Sequence, residues 1–551
     1  METEKKPRKN HFRSVVSLVN TKMSIKTAAV VIASSTLLSA LLGIFRDRWL
    51  NTMYYDTYPS ALDAYTAAFT VPDFLFFIIT SGALAVTFIP VFNQRLVAGN
   101  KKSAWELSGS ILNLLALICL VSSVLIMIFA DPLVRYIVAP GLNESAMSLA
   151  INMMRVIAIN PFLFSIATVL SSMQQAVGRF IFYALAPALY NIGIIIGILV
   201  FTNGINIFGI QIFEGGIMGV ALGVVLGAVM QLITGIVGLI GLGFEYEFKI
   251  HWKNQGFRTI IKMLPTRSID QGIDYVTGIM NTNLASRMGE QSIRAFQQAG
   301  SLHSMPVNLI GVAISTAFFP KLSEDAAKAD EETYRDTLRS AYRMIVWLSL
   351  PVSLIAFFIR GYVVNFIKNG GDPKIASVLA AFIIAIFCQS LYHITARGYY
   401  AKQNIKTPLI VSVIAFIVQV ICAVGFFFLD LGPEGLAFAT SISALFEVVV
   451  LAWLQNHSMQ GKLFNKEFWI AIFKISVASF IAAVVSYILT KALPLRATDN
   501  SFFATFPKFC VITISSLLVY VGICLVLRVE EVQPVVRKIG EKLFKNIGGH
   551  K

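Results

Sequence analysis

Charged residues interrupt the apolar segments of this chain at a few positions, and those positions are where chemistry is expected. Arg46 ends the first segment, and Asp63 and Asp73 lie in the second, Asp73 directly after the helix-breaking Pro72. A charge at the centre of a membrane costs roughly 2.5–3.5 kcal/mol or more, so such a residue indicates a functional site. A guanidinium offers planar donors that suit a phosphate. We therefore predict Arg46, Asp63 and Asp73 as substrate-binding residues.

The seventh apolar segment carries the densest set of charges. Arg267, Asp270 and Asp274 are spaced i, i+3 and i+7, which places them on one face of a helix. This face is predicted to border a polar cavity, where Arg267 joins Arg46 in holding a phosphate and the carboxylates are sites for a coupling cation or proton. Two simpler interpretations stay open: Arg267 and Asp270 form a purely structural pair, or Asp63 lies at the water interface.

The composition explains why these charges stand out. Of 551 residues, 56% are hydrophobic and 14% are charged, and the mean hydropathy is +0.71. Soluble proteins carry about 25% charged residues, so this is an all-α polytopic membrane protein and not a soluble enzyme, a nucleic-acid-binding module or a disordered chain. The net charge of +15 is assigned to cytoplasmic loops and anionic lipid, with no nucleic-acid partner. No metal motif or disulfide framework is present, so no cofactor is expected.

The apolar runs and the loops between them predict the topology. Runs of about 20 residues indicate about 14 membrane-spanning helices. Lys and Arg are concentrated in alternate loops, whereas Asn51–Ser60 and Thr202–Gly215 contain neither. The positive-inside rule places these two loops outside and both termini in the cytoplasm.

Two short patterns recur after a little more than 200 residues, the length of six helices with their loops. Gly216–Ala221 resembles Gly432–Ala437, and Ala85–Pro90 resembles Ser315–Pro320. They predict two six-helix lobes with a site at their interface, followed by two extra helices. The predicted segments are a basic N-terminal stretch, a first lobe, a second lobe, the extra helices and a basic tail, at residues 1–26, 27–245, 246–460, 461–528 and 529–551.

Two features predict packing and lipid contact. Gly219, Gly223 and Gly227 recur every four residues, which favours a seam where two helices approach closely. The tail at residues 535–547 alternates apolar and basic residues and is typical of a helix lying on anionic lipid.

Five segments, in the same order along the chain, resemble the MurJ lipid II flippases, a family of the multidrug/oligosaccharidyl-lipid/polysaccharide exporter superfamily. The resemblance spans helices one to twelve, and fourteen helices is the number typical of the family. No one of the segments is specific by itself, but the ordered set is. The segments are Ser39–Asp47, Phe69–Pro90, Ala186–Asn191, Met305–Ser323 and Tyr400–Pro408.

The chain departs from the family at several polar positions. The family's second helix-one arginine is Ala40 here, a basic residue of helix two is Phe76, and the helix-eight arginine position is Ser301. Of the family's cavity arginines only Arg46 is kept. The resemblance thus implies Ser301 as a substrate-binding position, and it implies Asn281 as a coupling-ion position, because some relatives have an acidic sodium-site residue there. Compensating charge is expected from Arg267, Arg287 or Arg294.

The resemblance implies a monomeric alternating-access carrier in the bacterial inner membrane. Two lobes would rock about a central cavity, and the last two helices would form a groove for the lipid tail. The implied substrate is undecaprenyl-pyrophosphate-linked muropeptide (lipid II), moved to the outer leaflet for peptidoglycan synthesis, with Na⁺ or H⁺ as coupling ion.

Three alternatives stay open. The lost arginines favour a flippase for another polyprenyl-linked saccharide, or a MATE-like antiporter of the same superfamily. A membrane-embedded transferase is disfavoured because no loop offers clustered carboxylates or a His/Asp base; the acidic run at residues 324–332 lies among basic residues. The intact proline and glycine breaks argue against a scaffold that has lost transport.

Overall fold

The structure is a computed structural model that describes residues 22–81, 88–207, 210–496 and 498–533. Side chains within these ranges are described except at residues 25, 26, 29, 81, 207, 210, 263–271 and 274. Most of the Ala85–Pro90 pattern and the whole tail at 535–547 therefore lie outside the described residues. The chain divides into two compact units, Met1–Gln291 and Ser292–Lys551.

The described part of the first unit contains nine α-helices and a short hairpin. The hairpin pairs β1 (Ile205–Ile207) with the antiparallel β2 (Ile210–Phe213) inside the loop predicted to face outward. The helices are α1 Ile25–Tyr54, α2 Pro59–Phe76, α3 Ile89–Val97, α4 Lys101–Pro132, α5 Glu144–Ile157, α6 Asn160–Ala176, α7 Ile181–Leu199, α8 Met218–Gly238 and α9 Gln255–Ser286.

The described part of the second unit is also built from nine α-helices. They are α10 Ser292–Pro306, α11 Ala313–Ala327, α12 Glu331–Ile367, α13 Pro373–Ala381, α14 Ile383–Ala401, α15 Lys406–Phe428, α16 Gly432–Ser458, α17 Lys466–Ala492 and α18 Phe502–Val526.

These helices account for the predicted number of membrane spans. In the described ranges, twelve helical stretches are long and apolar enough to cross a membrane, and α13 with α14 forms a thirteenth that is bent by 43°. The remaining long helix, α9, has 32 residues. At 1.5 Å per residue it exceeds the ~30 Å of a bilayer core, and its charges are what separate it from the apolar spans. The predicted all-α fold with about fourteen membrane-spanning helices is confirmed.

Prolines loosen three of the spans into π-helical segments. Pro132 directly precedes the π segment Leu133–Val138, and Pro306 directly precedes Val307–Val312. In the second span Pro72 lies inside α2, which continues into the π segment Phe77–Ser81. Proline lacks the N–H that an α-helix needs, so the ladder widens locally. The second and eighth spans, which are equivalent in the predicted repeat, both have a proline followed by a π segment.

The glycine seam predicted in the sixth span is present. A Cβ built on Gly223 would lie 2.5 Å from Cα of Gly197 in α7, and a Cβ on Gly219 would lie 2.5 Å from the carbonyl carbon of Phe201. Gly227 approaches Gly193 in the same way. Only glycine permits two backbones to come this close, so the prediction of a packing seam between helices is confirmed.

Equivalent contacts in the two units support the internal repeat. After α8, an extended segment lies on the third span, where Nδ2 of Asn113 donates to the carbonyls of Glu247 and Lys249 at 2.9 and 3.0 Å. After α16, the following segment lies on the ninth span, where Arg339 donates to the carbonyls of Lys462 and Leu463, each at 2.7 Å. In both units a polar side chain thus fastens the segment that leaves the sixth helix of the repeat.

The two extra helices pack on α12. The hydroxyl of Tyr520 on α18 donates to the carbonyl of Trp347 at 2.6 Å, and Arg343 pairs with Glu530 at 2.8 Å and with Glu531. The boundary between the compact units follows α9, whereas the sequence put the lobe boundary at residue 245. The predicted lobe boundaries and the lipid-tail role of the extra helices stay predictions.

Candidate functional site

Arg46 on α1 is the centre of the polar cluster in the first unit. Its Nη1 donates to Oδ1 of Asn191 at 3.0 Å, and its Nη2 and Nε donate to Oδ1 of Asp47 at 3.1 and 3.3 Å. The side chain is 24% exposed. A guanidinium has five N–H donors, so two remain without a partner among the described residues. Arg46 is therefore fixed in place and still able to bind an anion.

Asn191 on α7 fixes the direction of Arg46. Its Nδ2 donates to the carbonyl and the hydroxyl of Ser39 on α1 and to the carbonyl of Pro187, each at 3.2 Å. Because the amide nitrogen is committed to these acceptors, its oxygen must face the guanidinium. Asn191 is buried, so it positions Arg46 without itself presenting much surface to a ligand.

Two tyrosines and an aspartate complete the cluster. Tyr65 on α2 and Tyr190 on α7 lie close enough to Arg46, and Tyr190 close enough to Asp73, for a charge on one group to influence the other. Asp73 is half-buried and makes no hydrogen bond to any side chain that the structure describes. Arg46 and Asp73 thus both lie near Tyr190, so a cation and a carboxyl group are neighbours in this part of the first unit.

Aromatic packing replaces the basic residue that the family has at position 76. Phe76 packs against Phe164 on α6, and Phe164 against Tyr190, with ring centroids 5.4 Å apart in each pair. The next residue, Phe77, stacks on Tyr275 of α9 at 4.7 Å. This row of rings joins the charged helix to the Arg46 cluster and supplies an apolar wall instead of a second cation.

The other predicted site residues lie on α2, α9 and α10. Asp63 on α2 is buried in the first unit, and Ser301 on α10 is exposed in the second, where its hydroxyl donates to the carbonyl of Gln297 at 3.0 Å. Asn281 on α9 is 5% exposed, and its Oδ1 has no hydrogen-bond partner among the described residues. Three further predicted residues belong to α9, but their side chains are outside the described part of the structure. They are Arg267, Asp270 and Asp274.

Two charged or titratable residues of α10 are buried and hydrogen-bonded. Arg294 is 2% exposed and its Nη1 donates to Oε1 of Gln297 at 3.2 Å. Its compensation for lost cavity charge stays a prediction. His303 bonds the carbonyl of Gly300 at 2.7 Å and Gln389 at 3.0 Å and stacks on a phenyl ring. His303 is therefore a hydrogen-bonded core histidine.

Sequence reasoning missed Asn191, Tyr65 and Tyr190. A search for charge in apolar segments passes over amides and phenols, because burying a neutral polar group costs less than burying an ion. The available signal was the Tyr190–Asn191 pair, which ends one of the segments that resemble the MurJ family.

Comparison with known proteins places these residues in a family. The family model described as "Lipid II flippase MurJ" matches residues 59–506. A relative from Thermotoga maritima described as "Probable lipid II flippase MurJ" is 25% identical over 531 residues, which are 94% of this chain and 99% of that protein. The family model covers the second to the thirteenth predicted membrane-spanning helix, and therefore most of the chain.

Two solved structures show the same fold. "Lipid II flippase MurJ, inward closed conformation" is 22% identical, with a TM-score of 0.70, and the match covers 91% of this chain and 99% of that one. An inward-facing multidrug-resistance MATE transporter of the MOP superfamily is 16% identical, with a TM-score of 0.63, and the match covers 83% of this chain and 100% of that one. The chain belongs to the MurJ family of lipid II flippases, as its sequence motifs predicted.

Proposed function

We propose that this protein moves lipid II from the inner to the outer leaflet of the bacterial inner membrane for peptidoglycan synthesis, as a transporter and not as an enzyme. Family membership and the multi-span fold support this assignment. The observation that carries it is Arg46, a half-buried guanidinium within a membrane span that keeps two free donors in the described structure. Such a group matches the pyrophosphate of a lipid-linked saccharide.

The cluster explains how the headgroup is held. A saccharide–pyrophosphate cannot cross hydrocarbon unaided, so it needs a polar path while its tail stays in lipid. Arg46 would bind the pyrophosphate, and Asn191 would keep the donors of Arg46 pointed towards it. The row of rings from Tyr190 to Phe76 offers flat apolar surface on which sugar rings can stack.

We also propose a monovalent cation, Na⁺ or H⁺, as the coupling ion, with Asp73 and Asn281 as its ligands in the first unit. The unpartnered Oδ1 of buried Asn281 supports this role, because a buried amide oxygen without a donor is costly unless a cation or water meets it. The membrane potential would supply about 2.3 kcal/mol per charge per 100 mV. Asp270 and Asp274 stay predicted coupling sites on the same helix.

The proposed topology has both termini in the cytoplasm and the β1–β2 hairpin outside, and the proposed working form is a monomer. The charge asymmetry of the loops supports the orientation. A single cysteine at Asn206 in a cysteine-free variant should react with an impermeant thiol reagent added to intact cells.

A different lipid-linked saccharide is the second candidate substrate. Phe76 favours this substrate, because an aromatic residue packed at that position provides no second cation beside Arg46. Fewer guanidinium groups mean fewer charge-assisted contacts to a phosphate, so substrate choice would depend more on the sugar.

Depletion of the protein in its native cell decides between the two substrates. We expect lipid II to accumulate and a wild-type copy to clear it, whereas an Arg46→Ala copy should not. Accumulation of another polyprenyl-linked saccharide with normal lipid II would replace the proposed substrate and leave the transporter assignment in place. Accumulation of neither would contradict both candidates.

A further inference from the structure

A basic cavity lies at one end of the helices of the second unit. It has a volume of about 430 Å³ and is formed by the start of α12, the end of α14 and the end of α16 with the turn that follows. We infer that this cavity binds a phosphate-bearing anion through Arg335, Lys402 and Lys462. The inference goes beyond the proposed transport function, because no residue of the cavity belongs to the proposed translocation site.

The charges of the lining favour an anion. Arg335, Lys402 and Lys462 contribute three positive charges, and Glu331 is the one acid among the lining residues. The rest of the lining includes neutral donors such as Asn404 and Gln460. A recess with excess positive charge concentrates anions because its low-dielectric walls focus the field.

Arg335 is the residue that most needs a ligand. Its side chain is 20% exposed, and its nearest carboxylates, Glu332 and Asp336, are 3.8 and 3.7 Å away, beyond hydrogen-bond distance. The Nε atom is buried and has no hydrogen-bond partner among the described residues. Glu332 and Asp336 are at ion-pair distance but leave the terminal nitrogens of Arg335 without a hydrogen-bond acceptor among the described residues, so an oxyanion in the cavity would supply one.

The next arginine along the same helix face shows what a structural arginine looks like here. Arg339 donates to the carbonyls of Lys462 and Leu463, each at 2.7 Å, and to Asp336 at 2.9 Å. These contacts hold the turn that carries Lys462. The contrast indicates that Arg335 faces the cavity for binding, whereas Arg339 fastens its wall.

The two lysines have different tasks. Lys402 bonds both carboxylate oxygens of Glu331, at 2.8 and 2.7 Å, and lies 4.6 Å from the ring centre of Tyr334. Lys462 is exposed, and its ammonium makes no ion pair with the described residues. An anion would therefore meet one guanidinium and one ammonium with free donors, and a third cation already oriented by its partners.

The corresponding end of the first unit lacks this charge. The cavity there, of about 480 Å³, is lined by Lys102, Lys249 and His251 together with three acids, Glu106, Glu245 and Glu247. The repeat builds a similar recess in both units, but only the one in the second unit has an excess of positive charge. The binding property is thus specific to one unit and does not follow from the fold alone.

A simpler role for the lysines is to neutralise helix ends. Lys402 directly follows α14 and Lys462 lies just after α16, where a helix C-terminus favours a cation. That role would make substitutions change stability and leave anion binding unchanged, so it can be separated by experiment.

The test uses the full-length protein in the Arg46→Ala background, which removes the proposed substrate site as a source of binding. Inorganic pyrophosphate is titrated into protein in uncharged detergent, and in parallel phosphatidylglycerol or phosphatidylcholine is added and retained lipid is counted by native mass spectrometry. We expect the Arg335→Gln/Lys462→Gln variant to lose tenfold or more in affinity, about 1.4 kcal/mol or more. Lys406→Gln, at the exposed start of α15 and outside the cavity lining, should bind like the parent.

Each outcome has a defined meaning. Response to pyrophosphate alone identifies a soluble phosphate as the ligand, response to phosphatidylglycerol alone identifies a lipid headgroup, and response to both identifies the shared phosphate chemistry. Absence of binding in the parent, or equal binding by parent and double variant, would overturn the inference. A lower unfolding temperature with unchanged affinity would assign the cations to the helix ends. If the double variant fails to fold, Arg335→Lys replaces it, with a smaller loss expected because the charge is kept.

Discussion

Two arginines in membrane-spanning helices, Arg46 in the first unit and Arg294 in the second, show opposite uses of the same side chain. Arg46 is 24% exposed and has two donors unused among the described residues, whereas Arg294 is 2% exposed and held by protein partners. A charge is tolerated in a membrane span either because protein partners surround it or because water and ligand reach it. Accessibility, and not charge alone, therefore identifies the binding arginine.

The largest expected effect on binding is that of Arg46→Ala. Removing one member of a charge-assisted contact costs roughly 2–5 kcal/mol, so affinity for lipid II should fall about 30-fold or more. Binding to purified protein is the measurement, with Lys101→Gln on the surface as the control. Affinity within twofold of wild type would remove Arg46 from the site.

Arg294→Met should have the opposite signature. Truncating a buried, partnered charge costs roughly 3–5 kcal/mol of folding stability because its partners are left unpaired. The unfolding temperature in detergent should fall markedly, while lipid II affinity per folded molecule stays near wild type. A stable variant with lost affinity would move Arg294 into the binding site and break the comparison.

Asn191→Ala tests whether Arg46 must be held in position to bind its ligand. Loss of the amide leaves Nη1 of Arg46 without its acceptor and frees the guanidinium to rotate, at roughly 1–3 kcal/mol. Lipid II affinity should drop about tenfold, less than for Arg46→Ala. Asn203→Ala is the matched control, since Asn203 bonds a backbone carbonyl at a helix end far from Arg46 in the fold. Equal affinity of Asn191→Ala and wild type would show that Arg46 needs no positioning.

The smallest effect concerns a charge outside the spans. The backbone N–H of Arg496 and the ammonium of Lys508 lower the pKa of Asp499. A carboxyl with a lowered folded pKa adds stability above its unfolded value of about 3.9 and loses it as pH falls through the folded pKa. Unfolding temperature should thus be flat from pH 7 to 5 and fall below about pH 4. In Lys508→Met the folded pKa of Asp499 lies closer to the unfolded one, so the acid-side fall in unfolding temperature should be smaller. An unchanged profile would contradict the pairing.

Much of the fold follows from the sequence for a simple reason. Helices in lipid must be long and apolar, so hydropathy alone identifies most spans and their order. The charged helix α9 was predicted in the same way, as the seventh apolar segment, although its charges set it apart from the other spans. The π segments and the 43° bend between α13 and α14 cannot be predicted from hydropathy. A proline in the sequence shows where a helix can deviate, but not how it deviates. The hairpin in Thr202–Gly215 was predicted only as an outward loop.

The site was harder to predict than the fold. Arg46 was found because an ion in a span is conspicuous, whereas Asn191 is neutral and its value depends on a partner 145 residues away. Ser301 was chosen by correspondence with a family arginine, and the structure places its hydroxyl on a backbone carbonyl of its own helix. Distances across the chain, which decide such roles, are set by packing and are absent from local patterns.

The central claim is that Arg46 binds the pyrophosphate of the lipid that this protein carries. Its most direct test is lipid II translocation in reconstituted vesicles, normalised to folded protein, for wild type, Arg46→Lys and Arg46→Ala. We expect no translocation above background for Arg46→Ala and partial activity for Arg46→Lys, because lysine keeps the charge but loses the paired donors. Full normalised activity of Arg46→Ala would contradict the claim.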